Sequence, residues 1–595
     1  MTAFPPSQTI EILESRIAPA VFTVTTLKDI TNATNTTGSL RDAITLADAS
    51  TDTTNTINFA VRGTINLVSS LPQISMIAGS NLGIDGQVDI KLPGVIINAH
   101  GHQVFSIVTG GVALFDMTIK NAKAGLNFAS NAVGGAIYIN DNDSVTMQTM
   151  TVKNNVATGS GSYTGGGGIY VSPISTLTIT KCSITGNVST ALGGGKSYGG
   201  GIACRGTLSI QNSVITGNIA KCASNTDGNS GGAAYGGGIG IVGSVGTVTI
   251  ADTLISGNKA LGGNGDAGAK GMGGGSGGNG AGGGVYNGGA EMFISSSILS
   301  NNQARGGSGG AAGSGKGTQR GSGGSSIAGG VSTRGPSASL TIARSIISGN
   351  HAIAGGGSSK GTAWGGGVYS GPYLNVSQTT ISNNSAVNGG GMYVYGSPSP
   401  TNAIISGVTI SGNKAATGAG LQFGFFATAT VENCTIANNS AQTAGAGIED
   451  QGGTLSIYND TVAGNSVSSS KGEGGGLDVN NFLDTVNIVS TIIANNHAHN
   501  GADLFSGDSS FVTASYDLIR STPISGSITD NGNNLYNENP HLGLLAYNGG
   551  LTRTMLPAAD SPVINMGSNP NNLTTDQRGD PRVSGGGIDI GAVQR

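Results

Sequence analysis

Charge is scarce in this chain: Asp, Glu, Lys and Arg make up 10% of its 595 residues, with 27 basic and 31 acidic side chains and a net charge of −4. The basic residues stand singly, so there is no continuous basic surface to grip a phosphate backbone, which excludes nucleic acid as a partner. Tryptophan occurs once, and cysteine four times as Cys182, Cys204, Cys222 and Cys434. No two of these form a CxxC pair and none has a histidine at zinc-finger spacing, so a metal framework is excluded. They read as small packing residues, with a Cys204–Cys222 or Cys182–Cys204 disulfide as the alternative in an oxidising compartment. No apolar run reaches the roughly 18 residues of a membrane helix. The first twenty residues also lack the apolar core of a secretory signal.

What is abundant is glycine, at 106 residues, set among Ser, Thr, Asn, Val and Ile. This mixture suits short strands and tight turns and leaves few helix formers. There is no strict Gly-X-Y period, which excludes collagen, and the regularly spaced apolar triplets exclude a disordered chain. A chain this long exceeds one ordinary core, so it either divides into domains or stacks a repeat along one extended core.

A repeat is present. An aliphatic-x-x-Asn turn closes eleven copies, at Asn155, Asn187, Asn218, Asn258, Asn302, Asn350, Asn384, Asn413, Asn439, Asn465 and Asn496, spaced 26 to 48 residues apart. Each copy combines the turn with a glycine cluster and alternating strands. The shortest spacing defines a coil of three short strands and three turns, and any excess is loop. In one copy, Ile169, Val171, Leu177, Ile179 and Ile184 alternate inward while Tyr170 and Thr178 face outward. A single coil cannot bury its apolar face, whereas coil on coil makes one aliphatic core with parallel strands. The fold expected is all-β, a right-handed parallel β-helix at least about 50 Å long, with the Asn amides bonded inside it at the strand spacing of about 4.8 Å.

The ends and edges follow from the same pattern. Ser39 is placed to N-cap a short helix whose Leu40, Ala43, Ile44 and Ala47 form an apolar face that plugs the first coil. Insertions at 159–168, 192–201, 223–238, 261–284, 305–330 and 355–367 all fall between an Asn turn and the next glycine triplet, so they leave the rod along one edge. They form either mobile loops or an ordered polyglycine-like layer, and their Lys270, Lys316 and Arg320 offer contacts to an acidic polymer. The divisions expected are an N-terminal tag at 1–20, a cap and first coils at 21–105, the repeat body at 106–536 and a C-terminal region at 537–595.

Stacking also aligns candidate chemistry. The residue after each glycine-triplet aliphatic reads Tyr138, Tyr170, Ala203, Gly240, Tyr286, Ser332, Tyr369, Tyr393, Gln422, Glu449 and Asp478 down the rod, and is expected to face outward. The row of Tyr138, Tyr170, Tyr286, Tyr369 and Tyr393 either stacks on sugar rings or a partner surface, or stabilises its own sheet. At its end Gln422, Glu449 and Asp478 become neighbours, a candidate cation or glycan site for which Ca²⁺ is the ion to consider; no other cofactor is expected. The pair of histidines in Asn98-Ala99-His100-Gly101-His102 reads as an exposed turn, and Gly262-Gly263-Asn264-Gly265-Asp266 is a single non-repeating copy of a calcium-loop pattern.

Three stretches resemble known families. The Gly134-Gly135-Ala136-Ile137 motif with its aliphatic-x-x-Asn turn resembles the repeats of polymorphic outer membrane proteins, with Ile, Leu or Val here where those carry Phe. The stretch Leu13–Ala20, LESRIAPA, is similar to an N-terminal tag of large surface proteins of planctomycete-like bacteria. The C-terminal order Asn539-Pro540-His541-Leu542-Gly543, Tyr547-Asn548-Gly549-Gly550, Ser561-Pro562-Val563-Ile564-Asn565 and Asp576-Gln577-Arg578-Gly579-Asp580-Pro581-Arg582 resembles the choice-of-anchor Q domain. These resemblances imply a bacterial protein at the cell surface, associated with the outer membrane or secreted, and define no reaction.

The function expected is non-enzymatic adhesion or binding to glycan or matrix. The alternative is a polysaccharide lyase or glycoside hydrolase, for which a cluster of acids with a base on one exposed strand face is not evident. The sequence leaves the oligomeric state open.

Overall fold

A computed structural model describes residues 19–31, 38–88, 94–125, 131–224, 229–243, 246–396, 402–479, 485–507, 510–521 and 527–595. Of the tag-like stretch Leu13–Ala20, only Pro19 and Ala20 fall among them. Three long parallel sheets of 17, 14 and 16 strands run side by side among the described residues, forming a right-handed parallel β-helix. One coil passes through Thr176–Thr180 in the first sheet, Ser183–Thr185 in the second and Ile202–Cys204 in the third. Equivalent residues of successive coils pair in register, as in Leu177 with Leu208, Ile184 with Ile215 and Ile169 with Ile202. Their inward side chains form one continuous aliphatic core. Sixteen levels of the second sheet make a rod of roughly 70 Å at the strand spacing. That agrees with the expected minimum of about 50 Å and adds to it because coils without the Asn turn flank the eleven that have it.

The Asn ladder is built as the repeat suggested. Nδ2 of each Asn donates to Oδ1 of the next, at 2.9–3.0 Å from Asn155–Asn187 through to Asn465–Asn496. The same Oδ1 also accepts the preceding Asn backbone N–H, for example Asn258 N to Asn302 Oδ1 at 3.0 Å. The second amide proton goes to the carbonyl of the motif's own aliphatic residue one coil back, as in Asn218 to Ile184 at 2.9 Å. Both donors and both acceptor sites of a fully buried amide are thereby used. The ladder ends on Asp503, whose Oδ1 takes the Asn496 amide at 3.0 Å. The position before each ladder Asn is left-handed, with φ of 54° to 69°, and is always Asn or Gly, the residues that adopt it most cheaply.

A second ladder runs five residues before the first. Cys182, Ser213, Thr253, Ser297, Ser345 and Thr379 each turn a hydroxyl or thiol onto the backbone N–H of the preceding coil, as in Cys182 N to Ser213 Oγ at 3.0 Å. After Val408 it continues through Cys434, Asp460, Thr491 and Asp517. Two of the four cysteines are therefore rungs, and all four are buried and free, which rules out the disulfide alternative.

The glycine-rich insertions form an ordered layer. Outgoing legs pair in a six-stranded parallel sheet from Val156–Gly159 to His351–Ile353, and returning legs in another from Tyr163–Gly165 to Ala363–Trp364. Beyond these strands the hydrogen bonds recur every third residue. The N–H groups of Gly262, Gly265, Gly268 and Gly271 donate to the carbonyls of Arg305, Ser308, Ala311 and Ser314 at 2.8–2.9 Å. The remaining directions tie outgoing to returning legs, as in Gly278 to Gly263 and Gly324 to Gly307, both at 2.8 Å. Threefold extended backbone with every side satisfied is polyproline-II-like packing, and it requires glycine because the chains touch. A Cβ on Gly265 would lie 1.9 Å from the Gly275 carbonyl oxygen.

The N-terminal cap is the helix α1, Leu40–Asp48, capped by Ser39 in a reciprocal pair with Asp42, and it buries Leu40, Ala43, Ile44 and Ala47 as expected. The C-terminal region departs from a simple end cap, because it is laid along the flank of the second sheet. Gln577 Nε2 donates to Thr409 Oγ1 at 3.1 Å, Asn433 Nδ2 to the Thr575 carbonyl at 2.8 Å, and Ala592 N to Thr461 Oγ1 at 3.1 Å. Val563 and Ile590 pack on Ile492, Ala494 and Leu518. The DQRG turn is structural: Asp576 accepts from Arg578 N at 2.8 Å and pairs with its guanidinium at 2.9 Å.

Candidate functional site

The row after the glycine-triplet aliphatic stacks in the register expected, Tyr138 on Tyr170, Tyr369 on Tyr393, Gln422 on Glu449 and Glu449 on Asp478. It does not face solvent as expected. Tyr170, Tyr369 and Tyr393 are buried, as are Gln422, Glu449 and Asp478, while Tyr138 and Tyr286 are half-buried. The reason is the returning leg, which meets the third sheet at an elbow and covers the row with the residue just before the triplet, a side chain in Tyr198, Tyr235 or Trp364 and bare backbone at Gly165 over Tyr170.

From Ala203 to Tyr286 the two lines of residues are complementary in size, whereas at Tyr369 the leg supplies the equally large Trp364. Where the row carries Ala203 and Gly240, the leg supplies Tyr198 and Tyr235; where the row carries Tyr286, the leg supplies Ala281. Tyr198 stacks on Tyr235 at 4.9 Å, and Tyr235 meets Tyr286 at 4.7 Å with tilted rings, so the aromatic line continues across the gaps. Tyr138 and Tyr170 stack at 5.9 Å, and Tyr369 and Tyr393 at 5.6 Å and nearly parallel. Burial pushes the Tyr286 and Tyr393 hydroxyls up to about 12, so both stay neutral at physiological pH.

Two hollows open along this elbow. The larger, about 490 Å³, is lined by Trp364, Tyr369, Tyr393, Tyr395, Arg334 and Pro336 among others. Tyr395 is exposed, Trp364 half-buried, and the Tyr369 and Tyr395 rings stack at 6.2 Å. The smaller, about 310 Å³, is lined by Tyr163, Tyr170, Tyr198, Lys196 and Arg205. Arg205 stands beside Tyr163 and Tyr170 in this lining. Flat aromatic walls with hydroxyls and one fixed cation favour a ring-bearing polar ligand held by stacking and hydrogen bonds.

The acidic end of the row is different. Glu449 Oε1 accepts from Gln451 Nε2 at 3.0 Å, and Gln422 Nε2 donates to Thr417 Oγ1 at 3.3 Å. Burial pushes the Glu449 carboxyl up to about 7, partly offset by the Gln451 and Thr417 hydrogen bonds. Gly418, Gly445 and Gly474 turn directly over Gln422, Glu449 and Asp478. Among the described residues no three His, Cys, Asp or Glu converge as a metal site. Two carboxylates and an amide fall short of the 6 to 8 oxygens that Ca²⁺ takes.

Sequence reasoning found the Tyr row but not its other wall. Tyr198, Tyr235 and Trp364 each immediately precede a glycine triplet, and that fixed offset was the available signal. Arg205 and Arg334 likewise follow their third-sheet strands directly. His100, read as part of an exposed turn, bonds the Asn66 and Asn98 side chains at its own corner, with His100 Nε2 at 2.9 Å from Asn66 Oδ1. The chain matches no protein-family model and no curated protein.

Proposed function

We propose that this chain is an exported bacterial surface protein whose β-helix serves as a rigid rod presenting the aromatic elbow to a glycan, which it binds without cleaving. The observation that carries the reading is the hollow walled by Trp364, Tyr369, Tyr393 and Tyr395. Its rings are held in place by stacking on one another and by the coil register, so little side-chain freedom is lost when a sugar ring packs against them. Surface location is supported by the resemblances of the repeats to polymorphic outer membrane proteins and of the C-terminal order to choice-of-anchor Q domains. No helix among the described residues is long and apolar enough to cross a membrane, so this reading does not rest on a helical anchor.

The alternative, a lyase or hydrolase, needs acids in contact with the bound chain. Among the described residues, those lining the hollow include no carboxylate. The test is a panel of acidic and neutral polysaccharides incubated with the purified protein, scoring both retention in affinity gels and new chain ends. Retention without new ends supports the binding rod. New ends would make it an enzyme, and the absence of both across the panel would overturn the glycan reading. Protease shaving or antibody labelling of intact cells tests exposure at the surface separately.

A further inference from the structure

Resting on the glycan reading of the elbow, we infer that its ligand is a carboxylate-bearing polysaccharide lying parallel to the rod axis, with one carboxylate at Arg205 and another at Arg334. The two arginines occupy the same place in their coils. Each follows the last residue of a third-sheet strand, Ile202–Cys204 and Val331–Thr333. These strands are linked in register through Ile239–Ile241 and Val285–Asn287, so the arginines stand three levels apart, or about 14 Å along the axis. The corresponding positions between them are Val242 and Gly288, which carry no charge. The elbow therefore carries two cations three levels apart, and the Tyr198–Tyr235–Tyr286 stack bridges the interval.

Neither arginine is committed to a protein carboxylate. Among the described residues the ion pairs of arginine involve Arg41 and Arg578, both elsewhere. Arg205 Nε is buried and has no hydrogen-bond partner among the described residues, although the guanidinium borders the smaller hollow. A buried donor left unmatched is costly, and a planar carboxylate is the group that a guanidinium fork satisfies best. Lys196 adds a second cation at the mouth of the same hollow. Arg334 borders the larger hollow beside Trp364 and Tyr369, placing a charge next to the stacking surface. The acids of the row begin at Glu449, two levels beyond Tyr393, outside the span between the arginines. The ligand so defined is a linear polyuronate whose rings pack on the tyrosines and whose acid groups meet the two forks.

The experiment compares a polyuronate with its fully methyl-esterified form, which keeps the backbone and removes the charge, and with a sulfated polysaccharide. Wild type, Arg205→Gln, Arg334→Gln and the double variant are used as full chains, with gel retention and Trp364 emission as readouts and thermal melting as the control for folding. The expected result is that wild type binds the polyuronate at least about tenfold more tightly than the ester, with each variant losing about tenfold on the polyuronate and little on the ester. The preference should also weaken as salt rises. Equal binding of acid and ester, unchanged in the arginine variants, would overturn the anionic inference while leaving the glycan reading standing. A strong preference for the sulfated chain over the polyuronate would overturn the carboxylate assignment. Binding of none of the three would overturn the inference together with the reading beneath it.

Discussion

Gly201 and Asn218 lie in consecutive coils, and the glycine has no side chain because the asparagine occupies its place: a Cβ on Gly201 would sit 3.1 Å from Asn218 Cγ and 2.8 Å from the Gly238 carbonyl oxygen. The same contact recurs between Gly238 and Asn258, Gly284 and Asn302, and Gly447 and Asn465. The third glycine of the triplet and the ladder asparagine are therefore one device, which explains why the two motifs travel together through the sequence. Gly201→Ala is expected to overpack this corner and cost about 1–3 kcal/mol. Urea denaturation checks it; an unchanged midpoint would mean that the corner is not packed as described.

Breaking a rung is expected to cost more. In Asn302→Leu the Asn258 backbone N–H and Nδ2 lose their shared acceptor, the Ile255 carbonyl loses the amide that bonds it, and Asn350 Oδ1 keeps only the backbone N–H of position 302. With unmatched buried groups costing about 1–3 kcal/mol each, the loss should reach roughly 3–6 kcal/mol. Asn302→Asp keeps the acceptor, as Asp503 does at the ladder's end, and should be milder in the same urea experiment.

The cysteines give a chemical check. Burial pushes the Cys204 and Cys222 thiols up to about 12 and the Cys182 thiol to about 11, so none is a reactive thiolate at neutral pH. A thiol reagent should label four groups after unfolding and almost none before. Cys182→Ser, which restores the hydroxyl found on neighbouring rungs, should leave the melting temperature nearly unchanged.

Stability should fall as pH rises from 5 to 8. Burial raises Glu449 from 4.5 to about 7, and lifts Asp460 and Asp517 well above the usual carboxylate range. The folded chain then holds protons that the unfolded chain has released, so the contribution is fully present below the unfolded value and is lost as pH climbs through the folded one. For Glu449 alone this amounts to something on the order of 3 kcal/mol. Melting temperature measured across that range checks the sign, and Glu449→Gln should flatten the curve. A melting temperature that climbs with pH would contradict the burial of these acids.

Amide exchange tests the glycine layer. The N–H groups of Gly262, Gly265 and Gly268 are bonded to the next coil and should exchange far more slowly than in a solvated loop. Exchange at the free-chain rate over 262–280 and 306–326 would restore the mobile-loop alternative.

The sequence carried the rod clearly because each coil repeats its own evidence. The period-two apolar residues, the left-handed Asn or Gly and the Asn after it recur at fixed offsets, and register follows from them. The elbow was less legible. Whether Tyr369 points into solvent depends on Trp364 returning against it, and the leg that brings Trp364 back varies in length from coil to coil. The flank contact was not legible at all: Gln577 reaches Thr435 across 142 residues with no periodicity to announce it.

The most direct measurement uses the chain's single tryptophan, which lies in the larger hollow. Titrating oligosaccharides of increasing length while following Trp364 emission should give a saturable change that is lost in a Tyr395→Ala variant of unchanged melting temperature and weakened in Tyr369→Leu, with thermal melting checking that both variants are folded. Glycan retention with no change in Trp364 emission, or with the tyrosine variants binding as well as wild type, would contradict the assignment of the elbow as the binding site.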